Sequence, residues 1–195
     1  MTDIKQLSIH DYPWLVEDGL VPNINELGVV MMKVKVPDDL FEFFYGDDML
    51  SPDDLVDKSD SEKFWVKGDV REDAHITILS GLLTPAYEQK EILNRLMLDW
   101  VPPKMLNISS CTKFPDPSGS GEYVAIVALV DEPEQIKEAR GRLGYLPHVN
   151  TFQEYKPHVT LAYVKPEVAD VWVKLMSRFL YRVSTEGELD FGRRK

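Results

Sequence analysis

The sequence predicts an α+β fold made of two copies of one β-α-β-α-β unit. Apolar residues alternate along the chain between strand-like and helix-like spacing. A His-x-Thr pattern also occurs twice, at equivalent positions of the two copies, inside the apolar and β-branched segments 74–79 and 157–163. If the copies pack about a pseudo-twofold axis, the two motifs meet in a central cleft.

The first unit is predicted from its apolar spacing and its turn residues. Residues 28–36 and 105–112 read as strands, with the first His-x-Thr strand between them. Segment 40–45 starts a short helix. Thr84 and Pro85 give a cap residue followed by proline at the first helical position, and apolar residues then recur at helical spacing as far as Trp100. Pro102 and Pro103 end that helix.

The second unit repeats this order after a turn rich in Pro, Gly and Ser at 115–121. Segments 123–130 and 183–191 read as strands on either side of the second motif. Helices are predicted at 133–143 and from Val168 to Leu180, the second being the clearest amphipathic segment in the chain. Residues 1–195 therefore form a single domain with two lobes, at about 28–112 and 122–191, after an N-terminal segment 1–27. An acidic insertion, 46–73, interrupts the first lobe.

Composition limits the functions that this domain can have. The chain has 195 residues, and 44% hydrophobic composition is enough for a real core. Its 22 basic and 33 acidic side chains give a net charge of −11, which disfavours a long polyanion as partner. Cys111 is the single cysteine, and no secretory signal or membrane span is recognisable. These features predict a soluble cytoplasmic protein.

The motifs suit acid–base chemistry at phosphorus. Residues i and i+2 of a strand share a face, so His75 lies beside Thr77 and His158 beside Thr160. An imidazole, with a pKa of about 6.5, can take up or deliver a proton near neutral pH. Two such rings on opposite sides of one phosphate would suffice without a metal, and the hydroxyls would hold its oxygens. Which histidine is the base, and whether water or a ribose hydroxyl attacks, stays open.

The tetrads His75-Ile76-Thr77-Ile78 and His158-Val159-Thr160-Leu161 resemble those of the 2H phosphoesterases. The resemblance implies a two-lobed fold with antiparallel sheets around a cleft, and a phosphodiesterase that needs no cofactor. In size, motif number and aromatic N-terminal segment, the chain is also similar to phage anti-CBASS phosphodiesterases. That likeness implies a cyclic di- or trinucleotide immune signal as the substrate, cleaved in the host cytoplasm if the protein is phage-encoded.

Other substrates and another class of function fit the same residues. RNA ends with a 2',3'-cyclic phosphate and 2',5'-oligoadenylates are alternative substrates within the resemblance. A noncatalytic protein that sequesters nucleotides is the alternative of another class. The acidic composition and the compact chain favour a small soluble nucleotide in each case, with no membrane and no long nucleic acid as partner. The oligomeric state cannot be read from the sequence.

Several residues outside the motifs are candidates for contacts with substrate. Tyr12 and Trp14 lie in a segment of weak periodicity, where their rings could stack on bases. Lys156 is the main candidate for neutralising a phosphate, with Arg71 and Lys113 as further ones. No metal site is predicted, because neither motif has another ligand at suitable spacing.

Two side chains are given to other roles. His148 follows a proline in an irregular segment and is expected to be exposed or next to substrate, with a structural role favoured over a role in the site. Tyr163 lies five residues after His158 and so faces away from it in a regular strand. It is assigned to packing unless the strand bends.

Overall fold

The computed structural model describes residues 7–8, 27–35, 54, 56, 74–83, 90–116, 119–150, 154–178 and 182–193. Strands and helices alternate through this part of the chain. The strands are β1 (Leu7–Ser8), β2 (Gly28–Lys35), β3 (His75–Leu82), β4 (Met105–Pro115), β5 (Val124–Val130), β6 (Val149–Asn150), β7 (His158–Val164) and β8 (Arg182–Arg193). The α-helices are α1 (Lys90–Leu96), α2 (Glu134–Leu143) and α3 (Ala169–Met176), the last preceded by a 3-10 turn at Pro166–Val168.

Most of the predicted elements have a counterpart among these strands and helices. The helix predicted at 40–45 and the start of the helix predicted at 84–100 lie outside the described residues. The two-residue strands β1 and β6, which pair in parallel, were not predicted because they are too short to show a periodic pattern. None of the three described α-helices is long and apolar enough to cross a membrane.

Six strands form one closed antiparallel sheet in the order β2-β3-β7-β5-β4-β8, with β8 returning to pair with β2. The α+β class and the antiparallel pairing agree with the sequence prediction. A single closed sheet was not predicted. It arises because the last strand of each half pairs outside that half: β4 pairs with β5 and β8, and β8 pairs with β2 and β4.

The strand order has an internal symmetry. Exchanging β2, β3 and β4 for β5, β7 and β8 returns the same closed order. Two copies related by a pseudo-twofold axis would produce this order, with the axis passing between β3 and β7. The duplication itself stays a prediction, since strand order alone does not establish it.

The core lies on one face of this sheet. Along β2 the side chains of Val30, Met32 and Val34 are buried, whereas Met31 and Lys33 between them are partly exposed. Helices α2 and α3 bury apolar side chains in the same cluster as the buried residues of the strands. The helices therefore cover one face, which we call the core face, and the alternate side chains lie on the other.

Two residues of the acidic insertion lie beside the end of β7. The Lys165 amide donates to the Asp54 carbonyl at 2.9 Å, and the Val56 amide donates to the Tyr163 carbonyl at 3.1 Å. The indole N–H of Trp172 in α3 donates to the Asp54 carboxylate at 3.3 Å. This part of the insertion is thus fixed to both β7 and α3.

His148 is buried rather than exposed, contrary to one reading of the sequence. Only 9% of its surface is accessible, and its backbone forms an isolated bridge with Leu82 at the end of β3. Its Nδ1 lies 2.8 Å from the Leu146 carbonyl oxygen. Its surroundings support the structural role that the sequence also allowed.

Candidate active site

The two His-x-Thr motifs lie side by side on the neighbouring strands β3 and β7. Strands β3 and β7 pair through Ile76 and Val159, the central residues of the two motifs, and both side chains are fully buried. In an antiparallel pair this register places His75 opposite Thr160 and His158 opposite Thr77. All four motif side chains are partly exposed on the face away from the core, which we call the motif face.

The register sets the separation of the polar side chains. Directly opposite residues have Cβ atoms about 5 Å apart, and diagonal neighbours are about 7 to 8 Å apart. His75 and His158 are diagonal neighbours, as are Thr77 and Thr160. Four proton-donating or proton-accepting groups therefore surround one small area of the sheet, with the imidazoles across one diagonal.

A tyrosine joins the two motif strands beyond the central pair. The hydroxyl of Tyr155, just before β7, donates to the carbonyl of Thr77 in β3 at 2.9 Å. The guanidinium of Arg140 in α2 lies over the Tyr155 ring, 3.5 Å from its centroid, and also pairs with Glu132 at 2.9 Å. Burial raises the pKa of Tyr155, which keeps its hydroxyl a donor.

His158 is held in one orientation and one tautomer. Its Nδ1 lies 2.6 Å from the Lys156 carbonyl oxygen, which can only accept, so Nδ1 carries the hydrogen and Nε2 is the basic nitrogen of the neutral ring. The ring of Phe114 from β4 meets it edge-on, with centroids 4.8 Å apart. Burial lowers the pKa of His158, and repulsion from His75 lowers it further, against the opposing effect of the Lys156 hydrogen bond.

The two histidines have different neighbours on the motif face. Lys33 of β2 lies directly opposite His75. The corresponding neighbour of His158 is Leu129 of β5. The site is therefore cationic on the side of His75 and apolar on the side of His158, where Phe114 also packs.

A β-bulge follows each motif at the same position. Thr77 and Leu79 pair with consecutive residues of β2, which leaves Ile78 as an extra residue in β3. Thr160 and Ala162 likewise pair with consecutive residues of β5, which leaves Leu161 as an extra residue in β7. A bulge interrupts the alternation of side chains, so that the residue three positions after each threonine returns to the motif face.

The bulge in β7 corrects the expectation for Tyr163. This side chain lies on the motif face with Thr160, not away from it, because Leu161 and Ala162 both face the core. Burial raises the pKa of Tyr163, against the opposing effect of a hydrogen bond between its phenol and the Thr160 hydroxyl.

A buried polar group in the β4–β5 turn supports this tyrosine. The Tyr123 ring meets the Tyr163 ring at 86° with centroids 5.4 Å apart. The Tyr123 hydroxyl donates to the buried Asp116 carboxylate, which also accepts from the Ser120 hydroxyl. Burial and the Asp116 carboxylate both raise the pKa of Tyr123, so it stays protonated. The turn thus fixes the position of Tyr163 beside Thr160.

The predicted substrate-binding residues are only partly described. Tyr12, Trp14 and Arg71 lie outside the described residues. The ammonium group of Lys156 pairs with Glu154 at 3.1 Å, while its carbonyl orients His158. The Lys113 ammonium pairs with Asp170 of α3 at 2.6 Å. Lys156 and Lys113, the two candidate lysines within the described residues, are thus each already paired with a carboxylate.

Three residues of the site were missed by the sequence reasoning: Lys33, Phe114 and Tyr163. The alternation of β2 would place Lys33 on the polar face of its strand, but only the pairing of β2 with β3 places it beside His75. Phe114 reaches His158 across β5, and Tyr163 depends on a bulge that no glycine or proline marks.

Among the described residues, no group of three or more His, Cys, Asp or Glu side chains could hold a metal ion.

The fold is similar to that of solved structures of Usb1 from Kluyveromyces marxianus. One of them superposes with a TM-score of 0.51 at 10% identity and covers 87% of this chain and 94% of that chain. A second, with uridine monophosphate, has a TM-score of 0.50 at 9% identity and covers 88% of this chain and 100% of that chain. No family model matches the sequence, and no curated protein matches it. The likeness at this identity shows a shared fold.

Proposed function

We propose that the protein is a phosphodiesterase that cleaves small nucleotides by acid–base catalysis with two histidines. The observation that carries this proposal is the register of Ile76 opposite Val159, which places both imidazoles and both threonine hydroxyls on one face. The shared fold supports it, because one structure of Usb1 holds uridine monophosphate, and the two motifs resemble those of the 2H phosphoesterases.

In this proposal His158 is the general base of the first step. Its lowered pKa keeps the ring neutral at pH 7, and the hydrogen bond from Nδ1 to Lys156 leaves Nε2 to accept a proton. Nε2 takes the proton of the attacking hydroxyl while that oxygen forms its bond to phosphorus. The bond from phosphorus to the leaving oxygen breaks, and protonated His75 delivers a proton to that oxygen.

Thr77 and Thr160 hold the nonbridging oxygens and so place phosphorus between the rings. Their diagonal arrangement crosses the diagonal of the histidines, so each hydroxyl reaches the phosphate from a different side. If a ribose 2'-hydroxyl attacks, the product is a 2',3'-cyclic phosphate; if water attacks, the bond is hydrolysed directly. The residues around the site are compatible with both.

A cyclic di- or trinucleotide is the substrate that we favour, as in the phage enzymes that degrade cyclic nucleotide immune signals. The net charge of −11 argues for a small nucleotide over a long one. The structure of Usb1 with uridine monophosphate is an example of this fold with a mononucleotide. RNA 2',3'-cyclic phosphates and 2',5'-oligoadenylates are the alternatives. We place the protein in the cytoplasm, that of the host if a phage encodes it.

The test is a substrate panel analysed by mass spectrometry. The protein is incubated in EDTA with 3',3'-cyclic dinucleotides, a cyclic trinucleotide, 2',5'-oligoadenylate, a 2',3'-cyclic mononucleotide and short linear RNA. We expect turnover of at least one compound, lost in the variants His75→Ala and His158→Ala. Binding without turnover would favour the sequestering protein instead, and turnover that EDTA abolishes would point to a metalloenzyme.

A further inference from the structure

We infer that Lys33 binds a second phosphate of the substrate, one nucleotide away from the phosphate that is cleaved. The inference rests on the proposed function, because it assigns the direction in which a nucleotide lies across the two histidines. It names the substrate class as a phosphodiester that carries at least two phosphates, the second one on the His75 side.

The position of Lys33 is set by two strand pairings. Lys33 lies opposite His75 in the β2–β3 pair, so that its Cβ is about 5 Å from that of His75 on the motif face. On the other side of β2 the register with β8 shifts between Met32 and Val34, and Lys33 has no direct partner there. His75 is therefore its cross-strand neighbour, and the partly exposed Lys33 side chain lies on the motif face at the His75 side of the site.

The charge of Lys33 is not matched by a carboxylate among the described residues. Two other lysines near the motif strands differ in this respect, since Lys113 pairs with Asp170 and Lys156 with Glu154. Glu186 and Glu188 are exposed on the facing segment of β8, yet neither comes within 4 Å of the Lys33 ammonium group. A partly exposed cation in this state is suited to bind an anion that arrives with the substrate.

On the opposite side of the site, the described neighbours of His158 do not play the same part. There His158 is flanked by Leu129 and packed against Phe114, and neither side chain can neutralise a phosphate. Apolar and aromatic side chains fit a base or a sugar instead. The difference between the two sides thus orients the substrate, with its additional negative charge over β2 and its apolar portion over β4 and β5.

The second phosphate could come from two sources, a terminal phosphomonoester or a further internal phosphodiester. Both present the same charged oxygens to Lys33, and a cyclic dinucleotide carries the second type. A 2',3'-cyclic mononucleotide and a dinucleoside monophosphate carry only the phosphate to be cleaved. Substrates can therefore be divided by the number of phosphates that they carry, whichever source supplies the second phosphate.

The test compares one-phosphate and two-phosphate substrates. The first set is a dinucleoside monophosphate and a 2',3'-cyclic mononucleotide. The second set contains the same dinucleotide with a 5'-phosphate, the same dinucleotide with a 3'-phosphate, the trinucleotide, and the 3',3'-cyclic dinucleotide. Each linear compound is tested in both the 3',5' and the 2',5' linkage. We expect kcat/KM to be roughly 10- to 100-fold higher for the two-phosphate set, as a charge-assisted hydrogen bond would give.

Variants of Lys33 connect that preference to this side chain. Lys33→Met keeps the length of the side chain and should remove most of the preference, whereas Lys33→Arg should retain it. Lys113→Met is the matched control, because Lys113 is paired with Asp170 of α3, which packs against the core face; the preference should persist in it. Thermal melting of each variant shows whether it folds, and Lys33→Gln replaces Lys33→Met if the latter does not.

Each outcome has a separate meaning. Equal kcat/KM for the two sets, turnover of the one-phosphate set alone, or an unchanged preference in a folded Lys33→Met variant would overturn the role of Lys33. Absence of turnover for every compound in both sets would instead overturn the proposed function. The 5'- and 3'-phosphorylated dinucleotides show which end lies over Lys33, and the trinucleotide shows whether an internal phosphate serves equally.

Discussion

Ile76 lies directly opposite Val159, and this one pair aligns the two motifs of the chain. Both side chains are fully buried on the core face, so the polar residues on either side of each must lie on the motif face. A slip of either strand by one residue would turn its own histidine towards the core face and its own aliphatic side chain away from it. The hydrophobic effect thus holds the histidines in position although neither takes part in the core.

Replacing either motif histidine should abolish cleavage while the protein stays folded. A general acid or base typically contributes 10²- to 10⁴-fold, so His75→Ala and His158→Ala should each lower kcat by roughly that factor. Both side chains are partly exposed on the motif face, and their loss leaves no large cavity. Steady-state kinetics and far-UV circular dichroism provide the measurement. Retained activity in both variants would remove these residues from the mechanism.

The pH–rate profile should be bell-shaped, with its acidic limb below the ordinary imidazole pKa of about 6.5. The base must be neutral to act, so the rate rises as pH increases through the pKa of His158. Burial lowers that pKa, which displaces the limb to lower pH. A titration of the ring by NMR, alongside kcat/KM against pH, checks this directly.

The variant Phe114→Ala tests the cause of that displacement. It removes the ring that packs edge-on against His158 and admits water to the imidazole. The pKa of His158 should then rise towards its ordinary value, and the acidic limb should move to higher pH. An acidic limb that stays in place would show that burial by Phe114 is not what lowers this pKa.

Tyr163→Phe should lower activity by roughly 10-fold without unfolding the protein. The variant keeps the ring that packs on Tyr123 but removes the phenol oxygen that is hydrogen-bonded to Thr160, a bond worth about 1 kcal/mol. Thr160 then loses its fixed orientation towards the phosphate. The measurement is kcat/KM at constant thermal stability. Wild-type kcat/KM in Tyr163→Phe would rule out this positioning role.

Gly81→Ala should destabilise the protein by roughly 2 to 4 kcal/mol, as expected for backbone strain together with a steric clash. Gly81 has φ of +82°, and a Cβ there would lie 2.0 Å from the Val149 carbonyl oxygen, where β3 passes β6. Gly121→Ala is the matched control, with φ of +71° and no atom within 4 Å of its Cβ. Chemical denaturation of both variants checks the prediction, which fails if the two lose the same stability.

The sequence contained the elements of the site but not their assembly. Periodicity located the strands that carry both motifs, because each alternates buried and exposed side chains over several residues. It could not give the pairing of β3 with β7, since that depends on contacts between residues far apart in the chain. Lys33 could be assigned to the site only once the pairing of β2 with β3 was known, because that pairing places it beside His75.

The bulges after the motifs set a second limit on prediction. Leu161 and Ala162 are ordinary strand residues, and nothing in their identity marks the extra residue that turns Tyr163 towards Thr160. The strict alternation used for a regular strand therefore failed at Tyr163 while it held at His158 and Thr160. The same bulge occurs after Thr77, where it could be recognised only once the pairing with β2 was known.

Strands β4 and β8 each pair with strands of the other half of the chain, and this affects how the chain folds. Among the described strands, β4 pairs with β5 and β8 of the C-terminal half, and β8 closes against β2 from near the other end of the described chain. Such distant pairings raise the contact order, and loop-closure entropy must be overcome before they form. Folding is accordingly expected to be slow, and a fragment ending before β5 would leave β4 with two unpaired, aggregation-prone edges.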